Sequence, residues 1–285
     1  MTFKMISLGC PKNLVESEYI CEQLCAAGHE QGDGGDTVII NTCAFIAEAA
    51  RESIETILEA AKDGRKKIIV TGCLVERYRN DLAGLLPEVH SFVGRNCYSD
   101  IGALIDAPGY YHREGVFSDT FPRRVLTPPP TSYLKIQEGC NNRCHYCTIP
   151  SIRGDLTSRP AGDVVREFRW LLENGYREIN IIGQDITSYG TENERKETLT
   201  GLIGSLLEEK GEFYLRLLYM HPKGITRELI DVMRSDPRII PYLDVPIQHS
   251  EDRILSLMGR GHTKAYLGET LEMMRESLPG AVLRT

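Results

Sequence analysis

Three cysteines sit in the run EGCNNRCHYC, at Cys140, Cys144 and Cys147, a CxxxCxxC triplet. The triplet supplies three thiolates, where a closed structural zinc site uses four ligands, usually in CxxC pairs. A [4Fe–4S] cube held by three cysteines keeps one iron without a protein ligand, open to a small molecule. The strand-like run YLKIQ (residues 133–137) leads into the triplet. The metal would therefore stand at the carboxyl end of a strand, where α/β folds place their chemistry.

A second set is dispersed. KMISLGC, DTVIINTC and KKIIVTGC end in Cys10, Cys43 and Cys73, and each is followed by a helical pattern. The three cysteines occupy equivalent places, the tip of a buried strand at the turn into a helix. Neighbouring parallel strands are about 4.8 Å apart, so three such tips can converge on one small object. Helix N-termini there would present free N–H groups to anionic sulfur. Gly9 and Gly72 precede two of the three and allow close backbone approach. We expect a second three-cysteine metal site. Cys21 and Cys25, four apart on one helix face, read as core-facing thiols, and Cys97 as structural.

The elements that must position these residues alternate strand and helix. In the first hundred residues we expect helices over 13–27, 44–62 and near 99–105, a short helix after Cys73, and a fourth strand at VHSFVG. This rhythm predicts a small doubly wound parallel sheet over residues 1–107. Residues 108–131 carry Pro108, Gly109, Pro122 and the run Pro128, Pro129, Pro130 and read as a stiff, extended linker. Residues 132–285 repeat β–α units. Strands are expected at 133–137, 178–183, 213–219, 241–247 and 281–285, and helices at 161–174, 199–209, 227–234, 251–258 and 264–277. The fold class is therefore α/β, an N-terminal parallel sheet followed by a partial (β/α) barrel. Because the last residues fall inside a strand pattern, we expect a truncated chain.

The 285 residues are 41% apolar and 26% charged, as in a globular protein. No run of 18 apolar residues predicts a membrane span, and the N-terminus lacks a signal-peptide pattern, so the cytoplasm is expected. A net charge of −7 argues against general nucleic-acid affinity and is compatible with a basic protein partner. Nine cysteines, an odd number, read as metal ligands before disulfides.

In context, the triplet resembles that of the radical S-adenosylmethionine (SAM) enzymes. More narrowly, three strand-tip cysteines, a proline-rich segment and then GCNNRCHYCTIPSIRGDLTSRP resemble the methylthiotransferases. SLGCPKNLVESE, NTCAFI and IRGDLTSRP are similar to the RimO-type branch, which acts on a ribosomal protein. The tRNA-modifying branch typically has GCQMN at the first site. The family also carries a last barrel strand and a C-terminal TRAM β-barrel, for which we expect no counterpart within these 285 residues.

The resemblance implies two [4Fe–4S] clusters, one on Cys140, Cys144 and Cys147 and an auxiliary one on Cys10, Cys43 and Cys73. The first would cleave SAM by one electron to methionine and a 5′-deoxyadenosyl radical. The open iron of the second would carry the sulfur that one SAM methylates. The substrate implied is the β-carbon of an aspartate in small-subunit ribosomal protein S-twelve, so the two sites are expected to face one shared cavity. An electron donor of flavodoxin or ferredoxin type and a sulfur source are also implied. For SAM, the resemblance points to Tyr146 near the adenine, to Gly183, Gln184 and Asp185 at a strand end, and to Gln248 and His249 after the fourth strand. Arg153 and Arg159 are expected to meet a carboxylate of SAM or of the substrate. Two rival functions are a tRNA adenosine methylthiotransferase (MiaB-like) and a non-catalytic iron–sulfur or zinc scaffold.

Overall fold

The computed structural model describes residues 1–117 and 120–285. It divides into two units, the first formed by Met1–Leu126 with Ser151–Gly154, the second by Thr127–Pro150 with Asp155–Thr285.

In the first unit the elements run β1 (Thr2–Ser7), α1 (Pro11–Ala26), β2 (Glu30–Gln31), β3 (Thr37–Thr42), α2 (Ala47–Ala61), β4 (Lys67–Gly72), α3 (Cys73–Tyr78), α4 (Asp81–Leu85), β5 (Ser91–Val93), α5 (Ile101–Leu104) and β6 (Gly109–Tyr111). The strands form one sheet in the order β2-β1-β3-β4-β5-β6, every pairing parallel. A strand covered on both faces is buried along its whole length, and TVIINT is buried at all six positions, its apolar centre of Val38, Ile39 and Ile40 flanked by polar residues. Its alternate residues serve different cores. Val38 and Ile40 join Ile68, Val70 and Ile57 of α2 on one face. Ile39 joins Phe3, Ile69 and the α1 residues Ile20 and Leu24 on the other. This is the expected doubly wound layer arrangement.

The stretch expected as a linker is mostly part of this unit. Residues 109–111 form its sixth strand. Phe117 packs its ring on Tyr19 and Tyr98, both centroids 5.2 Å away. Arg123 forms a buried ion pair with Glu18, whose other oxygen accepts the Leu126 N–H at 2.8 Å. A proline-rich composition marked irregular backbone and could not reveal these partners, of which Tyr19 and Glu18 lie about a hundred positions earlier in sequence. Positions 118 and 119 of the stretch lie outside the described residues.

The second unit contains β7 (Thr131–Lys135), β8 (Gln137–Glu138), α6 (Ile149–Arg153, its last residues belonging to the first unit), β9 (Thr157–Ser158), α7 (Ala161–Glu173), β10 (Glu178–Ile182), α8 (Leu199–Leu207), β11 (Tyr214–Leu217), α9 (Arg227–Ser235), β12 (Tyr242–Asp244), α10 (Asp252–Leu257), α11 (Lys264–Ser277) and β13 (Val282–Arg284). Strands β7, β10 and β11 pair parallel, as do β12 and β13. Backbone bonds from Ile240 N to Leu215 O (2.8 Å) and Met220 N to Asp244 O (2.9 Å) join the two sets. The result is an arc of five parallel strands in chain order, the open part of a (β/α) barrel. Leu134, Ile179, Ile181, Leu215 and Leu217 are fully buried along it. Threonine side chains cap α8, α9 and α11 by accepting a backbone N–H, which fixes where each helix starts.

Candidate metal and cofactor sites

In the first unit, the sheet register brings three strand tips level. Ser7 pairs with Asn41, Asn41 with Thr71, and Thr42 with Gly72. Cys10 is the N-cap of α1, Cys43 directly follows β3, and Cys73 is the first residue of α3. Gly9 and Gly72 take positive φ, +84° and +91°. A methyl group on Gly9 would lie 2.5 Å from Cys43 Cβ and 2.8 Å from its Sγ, so glycine is needed for approach as well as for conformation.

Asn13, fully buried on α1, fastens the tips. Its amide donates to Leu8 O (3.0 Å) and Thr42 O (2.8 Å), and its Oδ1 lies 3.6 Å from Cys73 Sγ. Asn41 donates back to Asn13 O (2.8 Å) and to Ser17 Oγ (2.9 Å). Ser53 holds Cys43 from both sides, accepting its N–H at 3.0 Å and donating to its carbonyl at 2.7 Å.

The three thiols are near enough for Cys10 to act on the ionisation of both Cys43 and Cys73. Burial pushes Cys43 and Cys73 up, with the backbone N–H of Phe45 pulling Cys43 down and Arg153 and Arg95 pulling Cys73 down. Burial acts on Cys10 too, but Lys12, Arg153 and the N–H groups of Asn13 and Lys12 outweigh it and hold this thiol below its ordinary value. Arg153 was expected at a SAM or substrate carboxylate. It is instead buried in the first unit, with Nη1 2.9 Å from Glu16 Oε1 and Nη2 3.3 Å from Cys73 Sγ.

In the second unit, Cys140, Cys144 and Cys147 lie on the loop after β8. Cys147 N donates to Cys144 O at 3.0 Å, and Cys147 Sγ accepts from Ile149 N at 3.5 Å. Burial raises Cys140 and Cys147, the N–H of Asn142 and of Ile149 opposing it; Cys147 and Cys144 add to the rise at Cys140, and Cys144 to that at Cys147. The loop is pinned at three points. Asn142 donates to Asp185 Oδ2 at 2.7 Å. Leu156 N donates to Asn141 Oδ1 at 3.1 Å. His145 donates from its backbone N to Met258 O (3.0 Å) and from Nδ1 to Leu257 O (2.9 Å).

Asp185 is a hub. Its Oδ1 accepts from Thr187 N (3.1 Å), Thr187 Oγ1 (2.5 Å) and His221 N (3.2 Å), and its Oδ2 from Asn142 and Ser188 Oγ (2.8 Å). Both oxygens are thus engaged within the protein. Gly183 lies against Gln137, whose side chain a Cβ would meet at 2.6 Å. Gln184 donates to Glu138 Oε1 at 2.5 Å. Arg159 is buried and turned to Glu167 (2.6 Å) and Lys135 O (2.7 Å), a structural pairing. Tyr146, Gln248 and His249 are exposed, and His249 Nδ1 accepts from Glu251 N at 3.0 Å.

A further group, not among the expected site residues, stands beside this loop. Arg260 Nη1 is 3.5 Å from Cys144 Sγ, and its Nη2 donates to Pro246 O at 2.9 Å. The rings of His221 and His262 meet edge to face at 5.6 Å. Burial, then Arg260, lowers His221 to about 4, so its imidazole is neutral near pH 7. Arg260 Nε, His221 Nε2 and both nitrogens of His262 are buried without a hydrogen-bond partner among the described residues, as are the acceptors Gln137 Oε1 and Gln184 Oε1. Such orphans are rare unless a ligand or water answers them. The signal in the sequence was MGRGHT (residues 258–263), in which Gly259 and Gly261, both at φ +67°, turn Arg260 inward.

Among the described residues, no three His, Cys, Asp or Glu side chains close on one point as ligands of a single ion do.

Two family models match the chain, the uncharacterised protein family UPF0004 over residues 2–94 and the radical SAM superfamily over residues 134–285. A ribosomal protein uS12 methylthiotransferase RimO from Geobacter sulfurreducens is 44% identical over 99% of this chain, which spans 66% of that protein's length. One of the same name from Desulfotalea psychrophila is 42% identical over the whole chain, which spans 68% of it. Among solved structures, the cobalamin-dependent radical SAM enzyme OxsB aligns with TM-score 0.68 at 11% identity, over 99% of this chain and 48% of its own. The radical SAM methyltransferase TsrM from Kitasatospora setae aligns with TM-score 0.65 at 14% identity, over 99% and 66%. Those two likenesses concern the fold alone. By the superfamily match and the extent of its relatives' identity, the chain belongs to the radical SAM superfamily and, within it, to the RimO-type methylthiotransferases.

Proposed function

We propose that this chain is the catalytic part of an enzyme that methylthiolates the β-carbon of an aspartate in small-subunit ribosomal protein S12. It would use SAM and two [4Fe–4S] clusters. The observation that carries this reading is the pair of three-cysteine sets, one in each matched region, each one ligand short of a closed site. When bound, a cluster with an open iron and SAM together supply the one-electron chemistry that opens an unactivated C–H bond.

The residues fit these groups. Cys140, Cys144 and Cys147 would hold one cluster, on a loop kept rigid by Asn142, His145 and the Asp185 hub. The amino-acid end of SAM carries a carboxylate and an ammonium. The unpartnered donors of Arg260, His221 and His262 suit the first, and the unpartnered Gln137 and Gln184 oxygens suit the second. Gly183 leaves the room that a side chain would fill, and Tyr146 offers an exposed ring for the adenine. Gln248 and His249 stand as further contacts at the same strand ends. Cys10, Cys43 and Cys73 would hold the auxiliary cluster, presented by Asn13 and Ser53.

An electron donor of flavodoxin or ferredoxin type and a sulfur source complete the reaction. The cytoplasm, where thiols stay reduced, suits nine free cysteines. No helix among the described residues is long and apolar enough to cross a membrane. The tRNA reading is not favoured, since the relatives carry the uS12 name. The test is anaerobic reconstitution with iron, sulfide, SAM and a reductant, offered separately a peptide from ribosomal protein S12 and a tRNA. The peptide is expected to gain one SCH3 in place of hydrogen at its aspartate. Modification of the tRNA alone would refute the assignment.

A further inference from the structure

The buried charges beneath the auxiliary triad form a connected set. Glu16 on α1 is fully buried and shared by two guanidinium groups. Arg95 reaches it through Nη2 (2.6 Å) and Nε (3.3 Å), and Arg153 through Nη1 (2.9 Å). Arg95 is 3% exposed and Arg153 2%. Burying ions is costly unless each is answered by charge and hydrogen bonds. Glu16 therefore serves as an anchor that fixes the Arg153 fork in one orientation. With Nη1 so held, Nη2 points at Asn13 Oδ1 and at Cys73 Sγ, 3.3 Å away. An N–H aimed at sulfur from a permanent cation gains most when the sulfur carries negative charge. Hydrogen bonds and charge around ligating sulfurs set a cluster's reduction potential.

We propose that Arg153 is a positioning residue of the auxiliary site. It donates a charge-assisted hydrogen bond to the Cys73 sulfur, is aimed by Glu16, and raises the reduction potential of the cluster held there. The proposal rests on the reading of Cys10, Cys43 and Cys73 as a cluster site. It gives Arg153 a task different from carboxylate recognition, although the residue follows Cys147 by only six positions.

The test uses the full chain with Cys140, Cys144 and Cys147 all changed to Ala, so that any iron belongs to the auxiliary triad. Iron content, circular dichroism and an EPR-monitored redox titration are measured for this parent and for Arg153→Gln and Arg153→Lys in the same background. The parent is expected to hold about four irons. Arg153→Gln is expected to lower the midpoint by about 59 mV, a tenfold change in a one-electron equilibrium. Arg153→Lys, which keeps the charge and loses the fork, should recover part of that shift. A midpoint unchanged in both variants would overturn the proposal. So would loss of the folded spectrum in both, which would make the residue purely structural. A parent that binds no iron would sink the two-cluster reading itself, and this proposal with it.

Discussion

The two cysteine triads use the same donors and are built in opposite ways. Cys140, Cys144 and Cys147 fall within eight residues, and the chain needs only one well-pinned loop to gather them. Cys10, Cys43 and Cys73 are about thirty residues apart and meet only because three parallel strands end level. The first triad depends on local sequence and on the hub Asp185. The second depends on register, on Gly9 and Gly72, and on Asn13, which spans the tips. Their surroundings differ as well. Two of the strand-tip thiols, Cys43 and Cys73, are buried and Cys10 is half-buried, with Arg153 and Lys12 nearby, whereas all three loop thiols are half-buried, with Arg260 beside one of them. A dispersed site is therefore exposed to damage anywhere in the sheet, and a contiguous one mainly to damage in its loop.

The sharpest way to break this comparison is to remove one ligand from each set. Cys144→Ala is expected to reduce SAM cleavage, read as methionine released, to background. Cys43→Ala should leave cleavage in place and abolish sulfur transfer. Equal loss of cleavage in both would end the division of labour.

Next in size are changes that leave all six cysteines intact. Asn13→Ala removes the bonds to Leu8 O and Thr42 O. It is expected to cost about 1–3 kcal/mol, since one buried and one part-buried carbonyl lose their partner, and to halve the iron by emptying the strand-tip set. Gly9→Ala adds a side chain at φ +84° against Cys43. It should cost about 1–3 kcal/mol with the same selective loss, read by iron analysis and thermal unfolding. Asp185→Asn turns one acceptor into a donor facing other donors. It should cost about 1–3 kcal/mol and disturb only the loop set.

The effect that builds most gradually is a pH dependence belonging to the second unit. The folded state protonates His221 only near 4, against 6.5 for the unfolded chain. Below 6.5 the unfolded chain therefore binds more protons. Stability from this group is complete above 6.5 and is lost as pH falls toward 4, by at most about 1.4 kcal/mol per unit. His221→Gln should flatten that part of the unfolding profile.

Much of this architecture is written locally. The strand β10 lies within the EINIIG run, and α11 spans the expected residues 264–277, because burial periodicity and Thr263 define them. The six cysteines could be singled out because spacing, or position at a strand tip, is a local property. What escaped the sequence is long-range. Arg153 pairs with a carboxylate 137 positions away, and Arg123 with one 105 positions away. Nothing in a hydrophobic pattern encodes such partners. Arg260, His221 and His262 escaped for the same reason, since a lone charged residue between glycines is a common loop until its neighbours are known.

Iron counted in the reconstituted chain and in two triple-alanine variants tests the central claim of two independent three-cysteine sites most directly. About eight irons are expected in the unaltered chain. About four should remain when either Cys10, Cys43 and Cys73 or Cys140, Cys144 and Cys147 are replaced. Roughly four irons in the unaltered chain, or complete loss when either set alone is removed, would contradict it.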